Sequence, residues 1–319
     1  MENDVRYQKM MERIKYRPYE QCANRVGVLM IIQQAVFQIG AIVVLFALLV
    51  MEGIGRRGFD IQRLYRMMSD TNNVVFVVYL ASAIMQVVAG VCFLVFFVIY
   101  KRDIVQAPIT GRKVSFALII KCLLITIAVN AVITSSGFLM NRISGTRVNA
   151  GMTLADNEHA VGLFILVAVF PAIAEELFYR GVLFRYLRKG GFGYAAVISS
   201  LVFGMVHMNL TQFVFAGIMG FILCYLYEMT GHIWPGMLVH FSNNAIVLLL
   251  TPFQNGAVYR TCVYIAGVIA LVALIILYVI SFRHINIGDK KAISKGISSI
   301  GMVFFLVIGF FVCLVQLLM

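Results

Sequence analysis

Long stretches without charged side chains alternate with short polar and basic segments along this chain. The first stretch runs from Val26 to Met51, which is longer than the ~20 apolar residues that a helix needs to cross a bilayer. The third is interrupted only by Lys121, and the fourth runs into Glu175 and Glu176. The nine stretches are 26–51, 74–100, 114–140, 160–176, 190–206, 210–227, 233–250, 261–282 and 296–319. This pattern predicts an all-α, polytopic transmembrane helix bundle of about nine helices, with eight or ten if one stretch is re-entrant.

The composition supports the same class of protein. Of the 319 residues, 61% are hydrophobic and 13% are charged, and the mean hydropathy is +0.93. A soluble domain carries about 25% charged residues, so this much apolar surface could not be hidden inside one soluble core. A soluble enzyme, a disordered protein and a disulfide-stapled secreted domain are therefore excluded. We expect the chain to be embedded in the lipid bilayer, which is its main partner.

The net charge of +12 is explained by membrane topology. If the N-terminus is inside, the cytoplasmic segments hold 18 of the 26 Lys and Arg residues and the outer segments hold seven. The positive-inside rule then predicts a cytoplasmic N-terminus and, with nine spans, an outer C-terminus. Because the basic residues lie between apolar stretches and do not form one face, we expect no nucleic-acid partner. The first 25 residues are polar and basic, so no early signal peptide is expected.

Three clusters of charged or imidazole side chains lie in or beside apolar stretches. Such groups are costly at membrane depth and tend to mark functional sites. The clusters contain Glu175, Glu176 and Arg180 on the predicted fourth helix, Phe203 and His207 on the fifth, and His240 and Asn244 on the seventh.

Helical spacing suggests how the members of each cluster are arranged. Glu176 and Arg180 are four residues apart, so we expect them to pair along one helix face. Glu175 is turned about 100° away, towards neighbouring helices. His240 and Asn244 share a face for the same reason, and Phe203 lies one turn before His207.

The depth of the clusters can be estimated from the turn at Gly190 and Gly191, which would close a hairpin. Glu175 lies 15 residues before Gly190 and His207 lies 17 after it. At about 1.5 Å per residue, both lie roughly 22–26 Å from the turn, on facing helices. His240 joins them if its helix packs alongside. A carboxylate and two imidazoles in a cavity of low dielectric constant indicate a site that activates water.

The ordered motifs Glu-Glu-x-x-x-Arg, Phe-x-x-x-His and His-x-x-x-Asn, on successive membrane helices, resemble the CPBP family. This family comprises the CAAX prenyl proteases of the Rce type and the bacterial Abi and bacteriocin-processing relatives. The resemblance spans about 155–255, which divides the chain into three parts. These are 1–154 with the basic N-terminal segment and three helices, 155–255 as the catalytic core, and 256–319 with two C-terminal helices.

The resemblance implies an intramembrane endopeptidase of the CAAX type that hydrolyses peptide bonds of membrane-associated or prenylated proteins or peptides. It implies that Glu175 is the general base and that His207 helps to hold the attacking water. It also implies that His240 and Asn244 stabilise the oxyanion, and that Glu176, Arg180 and Phe203 support the site. The expected location is a bacterial or archaeal cell membrane, which the chain crosses several times.

The sequence leaves two mechanisms open, one without a cofactor and one with a zinc ion. A glutamate mechanism without a cofactor is favoured, because a carboxylate removed from water suits a base that works near neutral pH. The family has also been described as metal-dependent, and Glu175, His207 and His240 would then be the zinc ligands around an open water position.

Two other classes of function remain possible from the sequence. In a transporter, a buried Glu and His pair would relay protons or cations, but no internal repeat of the kind found in many transporters is visible. In an immunity or scaffold protein, the same fold would act by binding alone. Catalysis separates from scaffolding when Glu175 and His207 are substituted, since a scaffold tolerates both changes.

Overall fold

The computed structural model describes residues 2–55, 58–109, 114–144, 159–254, 256–277 and 288–318. Nearly all of these residues are helical. Two strands of two residues each, β1 and β2, pair antiparallel, with Ile54 opposite Phe59 and Gly55 opposite Gly58. The predicted boundary between 154 and 155 falls outside the described residues, and the division into three parts stays a prediction.

Twelve helices follow one another along the described chain, with β1 (Ile54–Gly55) and β2 (Gly58–Phe59) between the first two. Their bounds are α1 Glu2–Gly53, α2 Ile61–Ser69, α3 Thr71–Ile99, α4 Lys101–Val105, α5 Phe116–Ser144, α6 Ala160–Gly190, α7 Phe192–Met205, α8 Leu210–Thr230, α9 Trp234–Leu250, α10 Ala257–Leu277, α11 Lys290–Ile297 and α12 Ile300–Leu318. A 3₁₀ turn over Thr251–Phe253 follows α9.

Over the residues that the structure describes, each of the nine apolar stretches overlaps one of these helices, and the last is divided between α11 and α12. Within the described ranges, six helices are long and apolar enough to cross a membrane, namely α1, α3, α5, α6, α8 and α9. The pair α11 and α12 makes a seventh if its 66° bend lies within one span, and α7 and α10 contain shorter apolar helices. The predicted polytopic all-α membrane fold is confirmed.

Helix α6 carries the first polar cluster and is not a regular α-helix. Two π-helical segments, Ile165–Val169 and Leu177–Phe184, flank the α-helical turn Phe170–Glu176. Such π segments are rare and are frequent at functional sites. The helix ends at Gly190, and Gly191 turns the chain into α7 with a φ of 95°, which favours glycine. The predicted hairpin between α6 and α7 is therefore present.

The basic end of α6 is fixed by ion pairs to its neighbours. Arg188 donates to both carboxylate oxygens of Glu228 on α8, at 2.9 and 2.7 Å. Lys189 pairs with Asp103 on α4 at 2.8 Å. The nearby Arg185 donates to the backbone carbonyls of Ile104 and Val105. This end of the hairpin is thus held in register with α4 and α8, and the position of the polar cluster is fixed along the bundle.

Candidate active site

The buried centre of the site is the ion pair between Glu176 and Arg180. Arg180 Nη1 donates to Glu176 Oε1 at 2.8 Å, and each side chain is 1% exposed. Arg180 Nη2 donates to the Gly220 carbonyl at 3.2 Å, and the guanidinium lies 4.4 Å from the centre of the Phe203 ring. A buried ion pair loses much hydration free energy, and the added hydrogen bond and cation–π contact offset part of that cost. The predicted pair along one helix face is present.

His240 extends this pair into a three-residue cluster. Its Nδ1 lies 3.0 Å from Glu176 Oε1, the same oxygen that accepts from Arg180. An ionised carboxylate only accepts hydrogen bonds, so Nδ1 carries the proton and Nε2 is the nitrogen directed elsewhere. Helix α9 can bring His240 this close because Gly236 lies in its first turn. A Cβ at Gly236 would be 3.1 Å from Glu176 Oε2.

Glu175 is placed differently from its neighbour. Its side chain is 17% exposed, against 1% for Glu176, so it is less deeply buried than its neighbour. Oε1 accepts a hydrogen bond of 3.0 Å from Gln86 Nε2 on α3. Oε2 lies 3.8 Å from Nε2 of His240, which is beyond a direct hydrogen bond. One oxygen is thus held by an amide and the other faces an imidazole across a short gap.

The Phe203 ring packs against both His207 and His240. Its ring is fully buried and makes edge contacts with the rings of His207 and His240, at centroid distances of 5.5 and 5.9 Å. His207 Nδ1 lies 3.0 Å from the carbonyl oxygen of Phe203, so Nδ1 is the donor and Nε2 is left for other contacts. The spacing of four residues therefore does bring Phe203 against His207, and Phe203 also contacts His240.

Asn244 lies one turn after His240 on α9, and both side chains contact α6. Its Nδ2 donates to the Val167 carbonyl at 3.3 Å, in the first π segment of α6. Pro171 explains why that carbonyl accepts a side chain, since proline lacks the N–H that residue 171 would otherwise offer to Val167 in an α-helix. The adjacent Asn243 is 3% exposed. The missing N–H at Pro171 and the Asn244 side chain therefore belong to one arrangement.

The alternative zinc site needs three side chains that converge on one point. Over the ranges that the structure describes, no three His, Cys, Asp or Glu side chains are grouped so that they could hold a metal ion. The arrangement therefore does not present Glu175, His207 and His240 as a ligand set. Metal dependence stays a prediction to be measured.

Three amide side chains at the site were not predicted from the sequence. Gln86 binds Glu175, and Gln34 on α1 donates to the Val206 carbonyl at 2.9 Å, next to His207. Asn130 on α5 donates to the buried Asn243 at 3.2 Å. All three are amides inside apolar stretches, with Gln34 directly beside Gln33, and that signal would have marked them as facing a partner and not lipid. The sequence alone does not reveal which partner each amide has.

Comparison with known proteins shows which family model the segment around this site matches. Residues 157–246 match the model of a family described as type II CAAX prenyl endopeptidase, Rce1-like. This match covers less than a third of the chain, and it supports the resemblance to the CPBP family that the motifs indicated. All seven of the predicted site residues lie within the matched segment. The first motif lies on α6 and the third on α9. The second begins on α7 with Phe203, but His207 lies in the turn just beyond the end of α7, so its predicted place on that helix is wrong.

One curated relative is a Bacillus subtilis (strain 168) protein named "Putative membrane peptidase YdiL". It is 35% identical to this chain over 106 residues, which are 32% of this chain and 43% of the relative. The match thus covers less than half the length of that relative. No solved structure shows significant similarity to the chain.

Proposed function

We propose that this protein is an intramembrane endopeptidase that hydrolyses peptide bonds with water activated by Glu175. The match of residues 157–246 to the Rce1-like family model and the relative named as a putative membrane peptidase support hydrolysis of peptide bonds. The substrates that we propose are membrane-associated proteins or peptides, prenylated or unprenylated. The protein would work in a bacterial or archaeal cell membrane, with its N-terminus in the cytoplasm.

The observation that carries this proposal is the difference between two adjacent glutamates. Glu176 is buried and neutralised by Arg180, and it has no access to a substrate. Glu175 is partly exposed and keeps Oε2 directed towards Nε2 of His240 at 3.8 Å. Two carboxylates in such different surroundings suit two different roles, one structural and one as a base.

The proposed reaction starts from a water molecule that donates a hydrogen bond to Glu175 Oε2 and is held by His207. Glu175 removes a proton from this water as the oxygen attacks the carbonyl carbon of the scissile bond. The electron pair of the carbonyl moves to its oxygen and gives a tetrahedral oxyanion. The C–N bond then breaks, and Glu175 returns the proton to the leaving amine.

Donors around the oxyanion would lower the barrier of this reaction. His240 can donate only from Nε2, and only as the imidazolium, because Nδ1 is committed to Glu176. The Asn244 amide supplies a second donor in this proposal, and His207 would hold the water through Nε2. Hydrogen bonds to a developing oxyanion usually account for a large part of catalysis.

The test compares membranes from cells that express the wild-type protein or the Glu175→Gln variant. Peptide mass spectrometry identifies fragments that appear only with the wild type. Purified protein in liposomes is then assayed on the peptides found, and on an internally quenched CAAX peptide with and without a farnesyl group. Gln is nearly isosteric with Glu but is not a base, so we expect turnover to fall at least ~10²-fold.

Glu20→Gln is the matched control, because it removes an exposed carboxylate on the polar part of α1 and leaves the site unchanged. It should cleave like the wild type. Identical fragments from wild type and Glu175→Gln would contradict the proposal. An ion flux that depends on Glu175, without any cleavage, would favour a transporter, and a phenotype that tolerates both Glu175→Gln and His207→Ala would favour a scaffold.

A further inference from the structure

Helix α3 contributes a side chain to the active site from outside the segment that matches the family model. Gln86 donates from Nε2 to Glu175 Oε1 at 3.0 Å, and it lies 71 positions before the matched residues 157–246 begin. An ionised carboxylate only accepts hydrogen bonds, so the amide nitrogen of Gln86 is the atom that faces it. The base of the proposed reaction is therefore bonded by Gln86 of α3 on one side, and it faces His240 of α9 at 3.8 Å on the other.

Close packing fixes the position of α3 along α6. A Cβ at Gly90 would lie 2.5 Å from the Phe178 ring, and a Cβ at Gly162 would lie 2.8 Å from the Phe76 ring. Both positions thus need glycine for the helices to approach this closely. The Phe93 ring also stacks on Phe178 at 4.8 Å. Gln86 lies between these contacts, so its reach to Glu175 follows from the packing of the two helices.

The hydrogen bond from Gln86 to Oε1 of Glu175 determines which way Oε2 is directed. A carboxylate can rotate about its last side-chain bond, which has broad torsional minima. With Oε1 held by Gln86, Oε2 is the oxygen left towards His240 Nε2, at 3.8 Å. We propose that Gln86 is a positioning residue that orients the Glu175 carboxylate so that Oε2 takes the proton of the attacking water. This inference rests on the proposed peptidase function.

The test uses Gln86→Met, which keeps the length of the side chain and removes the donor, and Gln86→Leu as a second apolar variant. A hydrogen bond to a charged group contributes about 1.5–3 kcal/mol, so we expect kcat to fall roughly 10- to 100-fold. Because Gln86 acts through Glu175 and does not bind substrate, KM should stay within about twofold of the wild type. The substrate is the peptide that the Glu175→Gln comparison identifies.

Ser82→Ala is the matched control on the same helix, one turn before Gln86. The Ser82 hydroxyl donates to the Val78 carbonyl of its own helix at 2.9 Å, so its loss should leave kcat and Tm unchanged. Thermal unfolding in detergent shows whether the Gln86 variants are folded. A folded Gln86→Met or Gln86→Leu with wild-type kcat overturns the inference, and so does a change in KM alone.

Failure of this inference can be distinguished from failure of the proposed function. If Glu175→Gln is inactive and both Gln86 variants keep the wild-type kcat, Glu175 remains the base and only the role of Gln86 is wrong. If Glu175→Gln keeps its turnover, the proposed function itself is wrong.

Discussion

His240 Nδ1 and Glu176 Oε1 lie 3.0 Å apart in the buried centre of the site, and they connect α9 to α6 across 64 positions of sequence. The same Glu176 oxygen accepts from Arg180. Glu176 therefore neutralises a cation and also sets which nitrogen of His240 faces Glu175. A residue that never meets the substrate can in this way affect both the stability and the chemistry of the site.

Removing Glu176 should destabilise the protein more than removing the whole ion pair. Glu176→Ala leaves Arg180 buried without its carboxylate, and such a change costs about 3–5 kcal/mol. The double variant Glu176→Ala with Arg180→Ala leaves no unpaired charge, so its Tm in detergent should lie above that of Glu176→Ala. If the double variant loses as much Tm as Glu176→Ala, or as much as both single variants together, then Glu176 and Arg180 do not interact.

The role of Asn244 can be separated from its structural contact with Val167. If its amide stabilises the oxyanion, Asn244→Ala should lower kcat about 10²–10³-fold with little change in KM. Pro171→Ala restores the N–H that can bond the Val167 carbonyl, so in that background Asn244→Ala should cost less stability. We expect the loss of kcat to remain in both backgrounds. A kcat loss that disappears with Pro171→Ala would mean that Asn244 acts only on helix geometry.

Metal dependence can be decided by chelation of active, purified protein. If Glu175 acts as a base without a metal, a strong chelator should leave turnover within about twofold of the untreated sample. A catalytic zinc ion would supply both the activated water and a Lewis acid, and its removal would abolish activity until zinc is added back. Zinc found at one equivalent in active protein, and lost together with activity, would show that the glutamate mechanism is wrong.

Two ion pairs at the end of α6 should differ in their contribution to stability. Arg188 and Glu228 are 14% and 8% exposed and bond through two N–H groups, whereas Lys189 and Asp103 are 38% and 40% exposed. Arg188→Lys loses the two-point geometry, so its Tm should drop measurably. Lys189→Ala serves as the control and should cost about 0–1 kcal/mol, because solvent screens an exposed pair. If Tm falls more for Lys189→Ala than for Arg188→Lys, the exposed pair contributes more to stability than the buried pair, and the prediction is wrong.

The sequence alone predicted the all-α membrane class, the positions of the apolar helices and the resemblance to the CPBP family. Uncharged stretches, the i and i+4 spacing of Glu176 and Arg180, and the turn at Gly190 are local properties, because a helix places near neighbours in a fixed geometry. Only the tertiary structure decided which residues meet across helices. The bond of Gln86 to Glu175 and the bond of His240 to Glu176 depend on the rotation and register of separate helices, which are set by close packing at residues such as Gly90 and Gly236. No spacing within one helix contains that information.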